Sequence, residues 1–385
     1  MNTLLPRLRR SFLASLLAAA AVLVSPAAAQ PAEKPAPDQP ADTKRPDKKP
    51  KDTLANRQIT GRATRVAILD FGPLVSWGNS VGDGVGITIT AKSFKEAIPM
   101  LEADKVDVVV VRVNSGGGAL NELKPFQELF QFDYEPRFRT VAWVHSAISA
   151  AAMSPWPLDE FYMEPEGNIG ACTGYSGMLN AVKGTELLDV LDLMRIASEW
   201  GGRDPKIMRS MQIMEPLSAN VDEFGNVTFF QDSTSGKIRL NPDQQVLTLN
   251  AIDAVRVKFA RGIASNTEEL MKLMNITEYE IVGQKATKHI QDTMRRNHKV
   301  EVEVNETVVK YRLAVGAAQS LAGENNRERR GAEVGRATRA LAVIKKQCEI
   351  NDNFRYTLSV PFGQWLTNEW FEEQEYYLKR LAAGR

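Results

Sequence analysis

Val106-Asp107-Val108-Val109-Val110-Val111-Arg112-Val113-Asn114-Ser115-Gly116-Gly117-Gly118 sets a run of valines directly before three glycines. A nearly continuous β-branched run of this length suits a central parallel strand covered on both faces. Glycines after such a strand let the chain turn sharply and leave backbone N–H groups free to face a ligand. The turn lacks the lysine of a P-loop and the G-x-G-x-x-G spacing of a dinucleotide site. Working outward, residues 66–71 form a second short apolar strand. Residues 93–103 read as a helix with Phe94, Ala97, Ile98 and Leu101 on one face. Residues 120–130 are helical again and 140–144 form a third strand. Strand–helix–strand–helix–strand predicts right-handed βαβ units around a parallel sheet. Further on, 187–200 reads as a helix, 227–240 as a β-hairpin turning at 232–236, and α/β character continues to about 274.

The third strand leads into His145-Ser146-Ala147-Ile148-Ser149-Ala150-Ala151-Ala152. A serine among small residues at a strand-to-helix junction leaves room for a substrate. The same placement also suits a plain helix N-cap. Then comes Phe161-Tyr162-Met163-Glu164-Pro165-Glu166-Gly167-Asn168-Ile169-Gly170-Ala171-Cys172. The glycine turn, the small-residue serine run and this segment stand in the order and spacing of the ClpP/crotonase-like superfamily. The chain resembles in particular its NfeD-type and signal-peptide-peptidase-A-type membrane-associated serine proteases. Gly201-Gly202-Arg203-Asp204-Pro205 resembles the family's G-R-N segment, and Leu247-Thr248-Leu249-Asn250-Ala251 its closing segment. The likeness covers about 65–274.

The resemblance implies an α/β, ClpP/crotonase-like fold of repeated ββα/βαβ units, with a mostly helical C-terminal extension. It implies Ser149 as nucleophile and the amides of Gly117 and Ala150 as an oxyanion hole, with Gly118 shaping the turn. Acyl transfer develops negative charge on a carbonyl oxygen, which pre-aimed N–H groups stabilise, and a serine hydroxyl needs a base to take its proton. Related proteases use a histidine after the nucleophile or a lysine ahead of the G-R-N segment. No histidine lies between His145 and His289, so the resemblance points to the lysine form; the nearest lysine is Lys183, two residues earlier than ungapped counting places the family's lysine, a position that also suits a plain solvated loop lysine. The chain departs from the family pattern with Asn114 for Asp, Gly116 for Pro, Ala151 for Gly, and Pro155-Trp156-Pro157 where a helix normally continues.

The resulting expectation is an exported serine endopeptidase of Ser–Lys type that takes peptides or membrane-protein tails. The competing reading is a catalytically inactive protease-fold module for binding or assembly. Self-association into a homo-oligomer is implied by the resemblance. No cofactor is expected, and no Cys/His cluster has metal-ligand spacing. A formal charge of +1 gives no electrostatic reason to invoke nucleic acid.

The ends differ in style from the middle. Arg7, Arg9 and Arg10, an apolar stretch over 12–24 and Ala27-Ala28-Ala29 before Gln30 have the three parts of a signal peptide over 1–29. The arginine pair before Ser11-Phe12-Leu13 matches a twin-arginine export signal, and export places the chain in the periplasm or outside, with peripheral membrane association. Residues 30–58, rich in Pro, Lys and Asp, form a disordered linker. The protease domain is expected over 59–276 and a helical region over 277–385. There Val304, Val308, Tyr311, Val315 and Ala318, and again Val334, Ala337, Leu341, Ile344 and Cys348, step by threes and fours. This suits either a helical hairpin with a coiled-coil seam or two amphipathic helices packed on the main domain. Two cysteines, Cys172 and Cys348, are too few for a disulfide framework.

Overall fold

The computed structural model of the chain describes residues 62–73, 83–176, 180–242, 244–321 and 323–384. The signal peptide and linker expected over 1–29 and 30–58 lie outside the described residues. Strand β1 (Thr64–Phe71), helix α1 (Ala91–Ala103), β2 (Val108–Ser115), α2 (Leu123–Glu128), β3 (Arg139–Ile148), the single turn α3 (Ala150–Met153) and β4 (Glu160–Gly170) follow in succession. Helices α4 (Gly184–Trp200) and α5 (Pro205–Gln212) lead to a small sheet of β5 (Leu217–Val221), β6 (Val227–Phe230) and β7 (Ile238–Asn241). Then come β8 (Thr248–Asn250), α6 (Ala251–Arg256), α7 (Thr267–Leu273) and β9 (Tyr279–Ile281). The long helices α8 (Gln284–Ser320) and α9 (Arg327–Ile350), and finally α10 (Asn368–Ala382), complete the chain.

The main sheet has the order β8-β4-β3-β2-β1-β9. Its strands are parallel except β8, which runs antiparallel to β4. The valine run is central, as its composition requires. Val109, Val111 and Val113 face the core shared with α1 and α2. Val108 and Val110 face the other way, against Trp143, Tyr162 and the α7 residues Leu270 and Met271. A strand with both faces covered has no use for alternating polar residues.

The hairpin expected over 227–240 does not form. Strands β6 and β7 each pair antiparallel with β5, which lies between them. The turn-like residues instead cross the end of β5: Asp232 accepts the amides of Thr234 and Ser235, and the N–H of Gly236 donates to Ser218 Oγ at 2.9 Å. Sequence shows the turn but not the strand that slips between its arms.

Residues on both sides of 276/277 pack on the main sheet. Strand β9 adds to the edge of the main sheet by pairing with β1, and Ala286, Ile290 and Met294 of α8 are buried in the main core. Beyond Met294 helix α8 leaves that core. Val304, Val308, Tyr311 and Ala318 pack with Val334, Ala337, Leu341, Ile344 and Cys348 of α9 and with Trp370, Phe371 and Leu378 of α10. Both seams read from the sequence are therefore buried, Val315 only partly, in a helical core of their own. No helix among the described residues is long and apolar enough to cross a membrane.

Candidate active site

The C-terminal ends of β2 and β3 carry the residues singled out from the sequence. To reach that point β3 and β4 must get past a mismatch. Val144 pairs with Met163, but the next pair is Ser146 with Asn168, so Glu164-Pro165-Glu166-Gly167 bulges out opposite His145. Proline cannot donate to a ladder, and a bulge is where a strand tolerates it. Gly167 lies so close that a Cβ there would come within 2.6 Å of the Val144 carbonyl oxygen. Past the bulge pairing resumes through Ile148 and Gly170, and the Ser149 N–H donates to the Gly170 carbonyl at 3.0 Å.

Ser149 then turns the chain in one residue. Its backbone is held at φ 55°, ψ −127°, a region that side-chain-bearing residues rarely enter. Its carbonyl already accepts the N–H groups of Ala152 and Met153, so α3 begins immediately after it. Ser149 occupies the N-cap position of α3, yet its side chain makes no capping hydrogen bond. The hydroxyl has no hydrogen-bond partner among the described residues, and the residue is partly exposed while Ala150, Ala151 and Ala152 are buried. A hydroxyl spent on capping would be the ordinary use of serine here; this one is left unengaged at a strained turn.

The glycine turn lies against it. Gly117, at φ 108°, is buried with its Cα face towards Ser149: an added Cβ would sit 2.7 Å from Ser149 Cβ and 2.9 Å from the Ile148 oxygen. Gly118, at φ 159°, leaves no side-chain room against Val85, with which it pairs. The Gly117 N–H donates to Ser115 Oγ at 3.1 Å, and that hydroxyl donates to the Asp83 carbonyl at 2.5 Å. The Gly116 N–H donates to Asp83 Oδ2 at 2.7 Å. Ala150 opens α3, where first-turn amides have no partner within the helix. The structure thus brings together Ser149, Gly117, Gly118 and Ala150.

Lys183 stands apart. It is exposed and extended, the residue immediately before α4, and it makes no hydrogen bond or ion pair among the described residues. Its chain is nonetheless tied to the site. Cys172 Sγ lies 3.8 Å from the Ser149 carbonyl oxygen, and the Val182 N–H donates to the Gly174 carbonyl at 3.0 Å. The histidines offer no base in contact. His145 pairs with Glu164 at 2.8 Å and lies four strand residues, roughly 13 Å, before Ser149. His289 and His298 are on α8, against Glu96 and Glu301.

Two other residues gain defined roles. Arg203, in the segment read as G-R-N-like, donates to the carbonyls of Trp156 and Leu158 and stacks 4.4 Å from the centre of the Phe161 ring. Burial pulls its pKa down to about 10. It fixes the Pro155–Trp156–Pro157 interruption that cuts α3 to one turn, so the departure from a continuous helix has its own support. Cys172 and Cys348 are free thiols, buried in different apolar clusters. Among the described residues no group of three or more acidic, histidine or cysteine side chains could hold a metal ion.

No family model matches the chain. Among curated proteins it is similar to membrane protein NfeD1b of Bacillus subtilis, 24% identical over 219 residues. That match covers 51% of this chain and 45% of the relative, so the chain spans less than half the length of the protein it matches. The fold is α/β, with a parallel-rich sheet and a helical C-terminal region. Among solved structures the chain is similar to the 1510-N membrane-bound stomatin-specific protease in mutant form, at 16% identity, TM-score 0.39, covering 58% of this chain and 89% of the other. A second mutant of that protease, in complex with a substrate peptide, gives 14% identity and TM-score 0.41 over 60% of this chain and 100% of the other. The 1510-N membrane protease specific for a stomatin homologue from Pyrococcus horikoshii gives 14% identity and TM-score 0.36 over 57% and 92%.

Proposed function

We propose that this chain is an exported serine endopeptidase in which Ser149 attacks the peptide carbonyl and the amides of Gly117 and Ala150 receive the oxyanion. One observation carries the reading: Ser149 stands at φ 55°, ψ −127° at a strand-to-helix turn with its hydroxyl uncapped and partly exposed. A serine held this way gives up local stability, of order 1–3 kcal/mol, for the direction of its hydroxyl. The Gly117 N–H is held only by the neutral Ser115 hydroxyl at 3.1 Å. A developing oxyanion is a charged acceptor and binds such a donor about twice as strongly. Peptides or membrane-protein tails are the substrates in this reading, and the curated relative's description as a membrane protein supports peripheral membrane association. Self-association of the sheet domain belongs to the same reading, and light scattering on the purified chain measures it.

Lys183 supplies the base in this reading; its neighbour Val182 donates to the Gly174 carbonyl, two residues past Cys172, which lies against the Ser149 carbonyl. A second reading, a binding module without catalysis, is favoured by the distance in bonding terms between Lys183 and Ser149: no hydrogen bond joins them. A fluorophosphonate serine probe decides. Labelling of the wild type that disappears in Ser149→Ala and falls in Lys183→Ala is expected. A folded wild type that takes no label would sink the peptidase reading in favour of the binding module.

A further inference from the structure

We propose that the C-terminal helical region acts as a clamp on the oxyanion turn, with Asn351 and Asn353 as positioning residues. The clamp is a feature of the structure; its effect on catalysis rests on the Ser149 reading above.

The link runs through a glycine-rich segment, Gly84-Val85-Gly86-Ile87, that belongs to neither the main helices nor the main strands. On one side this segment carries the turn. Gly84 pairs with Gly117 and Val85 with Gly118 in parallel register, and the Ala119 N–H donates to the Val85 carbonyl at 2.9 Å. The two backbones touch so closely that a Cβ on Gly118 would lie 2.2 Å from the Val85 oxygen. Any displacement of Val85 is therefore passed to Gly118, and from Gly118 to Gly117 against Ser149.

On its other side the segment is held by the end of the helical region. The Gly86 carbonyl accepts two side-chain amides, Asn351 Nδ2 at 2.8 Å and Asn353 Nδ2 at 3.0 Å, so both of its lone pairs are used. The two asparagines are themselves fixed, because Asn351 Oδ1 accepts the Asn353 N–H at 3.0 Å. Asn351 is the C-cap of α9, so the pair is rigidly attached to that helix. Gly86 sits at φ 86°, and a Cβ there would come within 2.8 Å of Asn353 Nδ2. Glycine at 86 and asparagine at 353 are matched to each other. Asn353 is buried, and its Oδ1 has no partner among the described residues, a cost that an apolar side chain would not incur. Its amide group is retained for what its N–H groups hold, which includes Glu122 as well as Gly86.

Apolar packing reinforces the clamp. Ile87 is buried, but in the helical core with Val304, Leu341, Phe354 and Trp370 rather than in the core of the main sheet. It is the one residue before 300 buried in that cluster among the described residues. The segment is thus plugged into the C-terminal module by a side chain, tied to it by two amides, and laid along the turn that faces Ser149. A module that shifted α9 by the length of a hydrogen bond would move the turn with it.

The test uses the full chain carrying Asn351→Ala, Asn353→Ala, both together, or Ile87→Ala. Asn351→Ala removes one of the two bonds to the Gly86 carbonyl, together with the acceptor of the Asn353 N–H, at a partly exposed position, and serves as the variant that keeps its fold. Hydrogen exchange is read at residues 84–89 and at Ala119, alongside the inactivation rate and apparent affinity of a fluorophosphonate. Expected are faster exchange confined to those amides and a maximal inactivation rate lower by about tenfold or more, with apparent affinity within about twofold. Unchanged exchange in a folded double variant overturns the clamp. Faster exchange with an unchanged inactivation rate overturns the positioning role and leaves a structural brace. A wild type that takes no label overturns the positioning role together with the peptidase reading, and exchange still decides the clamp.

Discussion

Replacing Gly117 by alanine tests the geometry of the site with one methyl group. The new Cβ would stand 2.7 Å from Ser149 Cβ, 2.9 Å from the Ile148 oxygen and 3.2 Å from the Ala150 nitrogen. Two of these neighbours are backbone atoms in β3 and α3, which cannot swing aside as a long side chain would. Forcing a group into a filled space costs roughly 1–3 kcal/mol. A residue with a side chain at φ 108° adds roughly 1–3 kcal/mol of backbone strain. The total, about 2–6 kcal/mol, is large against the roughly 5–15 kcal/mol typical of a folded domain. The cheapest relief is for residue 117 to rotate away from Ser149, which carries its N–H off the position proposed for the oxyanion. Loss of one such donor costs about 10²–10³ in rate. Gly116→Ala is the matched control: its φ is not positive, and its Cβ would meet only the tip of the Asp83 carboxylate at 3.3 Å. Urea unfolding and fluorophosphonate labelling, run on both variants, give the two magnitudes separately. Gly117→Ala with the stability and labelling rate of the wild type would show that the turn does not press on Ser149, and the site as described would be wrong.

Other outcomes follow from the same structure. Ser149→Gly should be more stable than Ser149→Ala by about 1 kcal/mol in urea unfolding, because glycine accepts φ 55° freely while alanine keeps the strain; neither should take the probe. Arg203→Met should lose about 2–4 kcal/mol by leaving the Trp156 and Leu158 carbonyls unpaired, and Arg203→Lys should recover little, since one ammonium cannot reach both carbonyls and cover the Phe161 ring. Burial raises the pKa of Asp70 above its ordinary 3.8, against the opposing hydrogen bond from Gln291. A carboxyl raised on folding contributes stability that is full below 3.8 and lost as pH climbs through the folded value. Asp70→Asn should therefore stabilise the protein at pH 7 and make no difference near pH 3, as thermal melts at the two pH values would read.

The parts of this fold that sequence makes legible are those decided locally. Six consecutive positions from Val108 to Val113 contain five valines, and only a strand covered on both faces needs that composition. The glycine turn and the serine run are legible for the same reason, each being a short segment with one steric requirement. The arms of 227–240 do not pair with each other as their sequence suggests, because strand pairing is a choice among partners. Nothing within those residues says that β5 will take both edges. The role of Asn351 and Asn353 is invisible for a stronger version of that reason: they lie more than 260 residues from Gly86, after a helix whose seam suggests only self-packing. The glycines at 84 and 86 were the available signal, since two glycines so near a predicted helix mark a close backbone approach, though not to what.

Ser149 shows where local reading stops and geometry begins. Its sequence neighbours say that a serine sits in a small-residue junction, which an N-cap satisfies as well as a nucleophile does. The two uses differ in what the hydroxyl touches. The backbone on either side of Ser149 is already committed, its N–H to Gly170 and its carbonyl to Ala152 and Met153. Residue 149 must therefore make the turn whatever its side chain, and glycine would make it at least cost. Serine brings a hydroxyl to that position, and the hydroxyl neither caps α3 nor bonds to any described residue. As a structural element it adds strain and no bond. In the proposed reading it serves a group that arrives from outside, opposite a glycine turn paired with the segment that Asn351 and Asn353 bond.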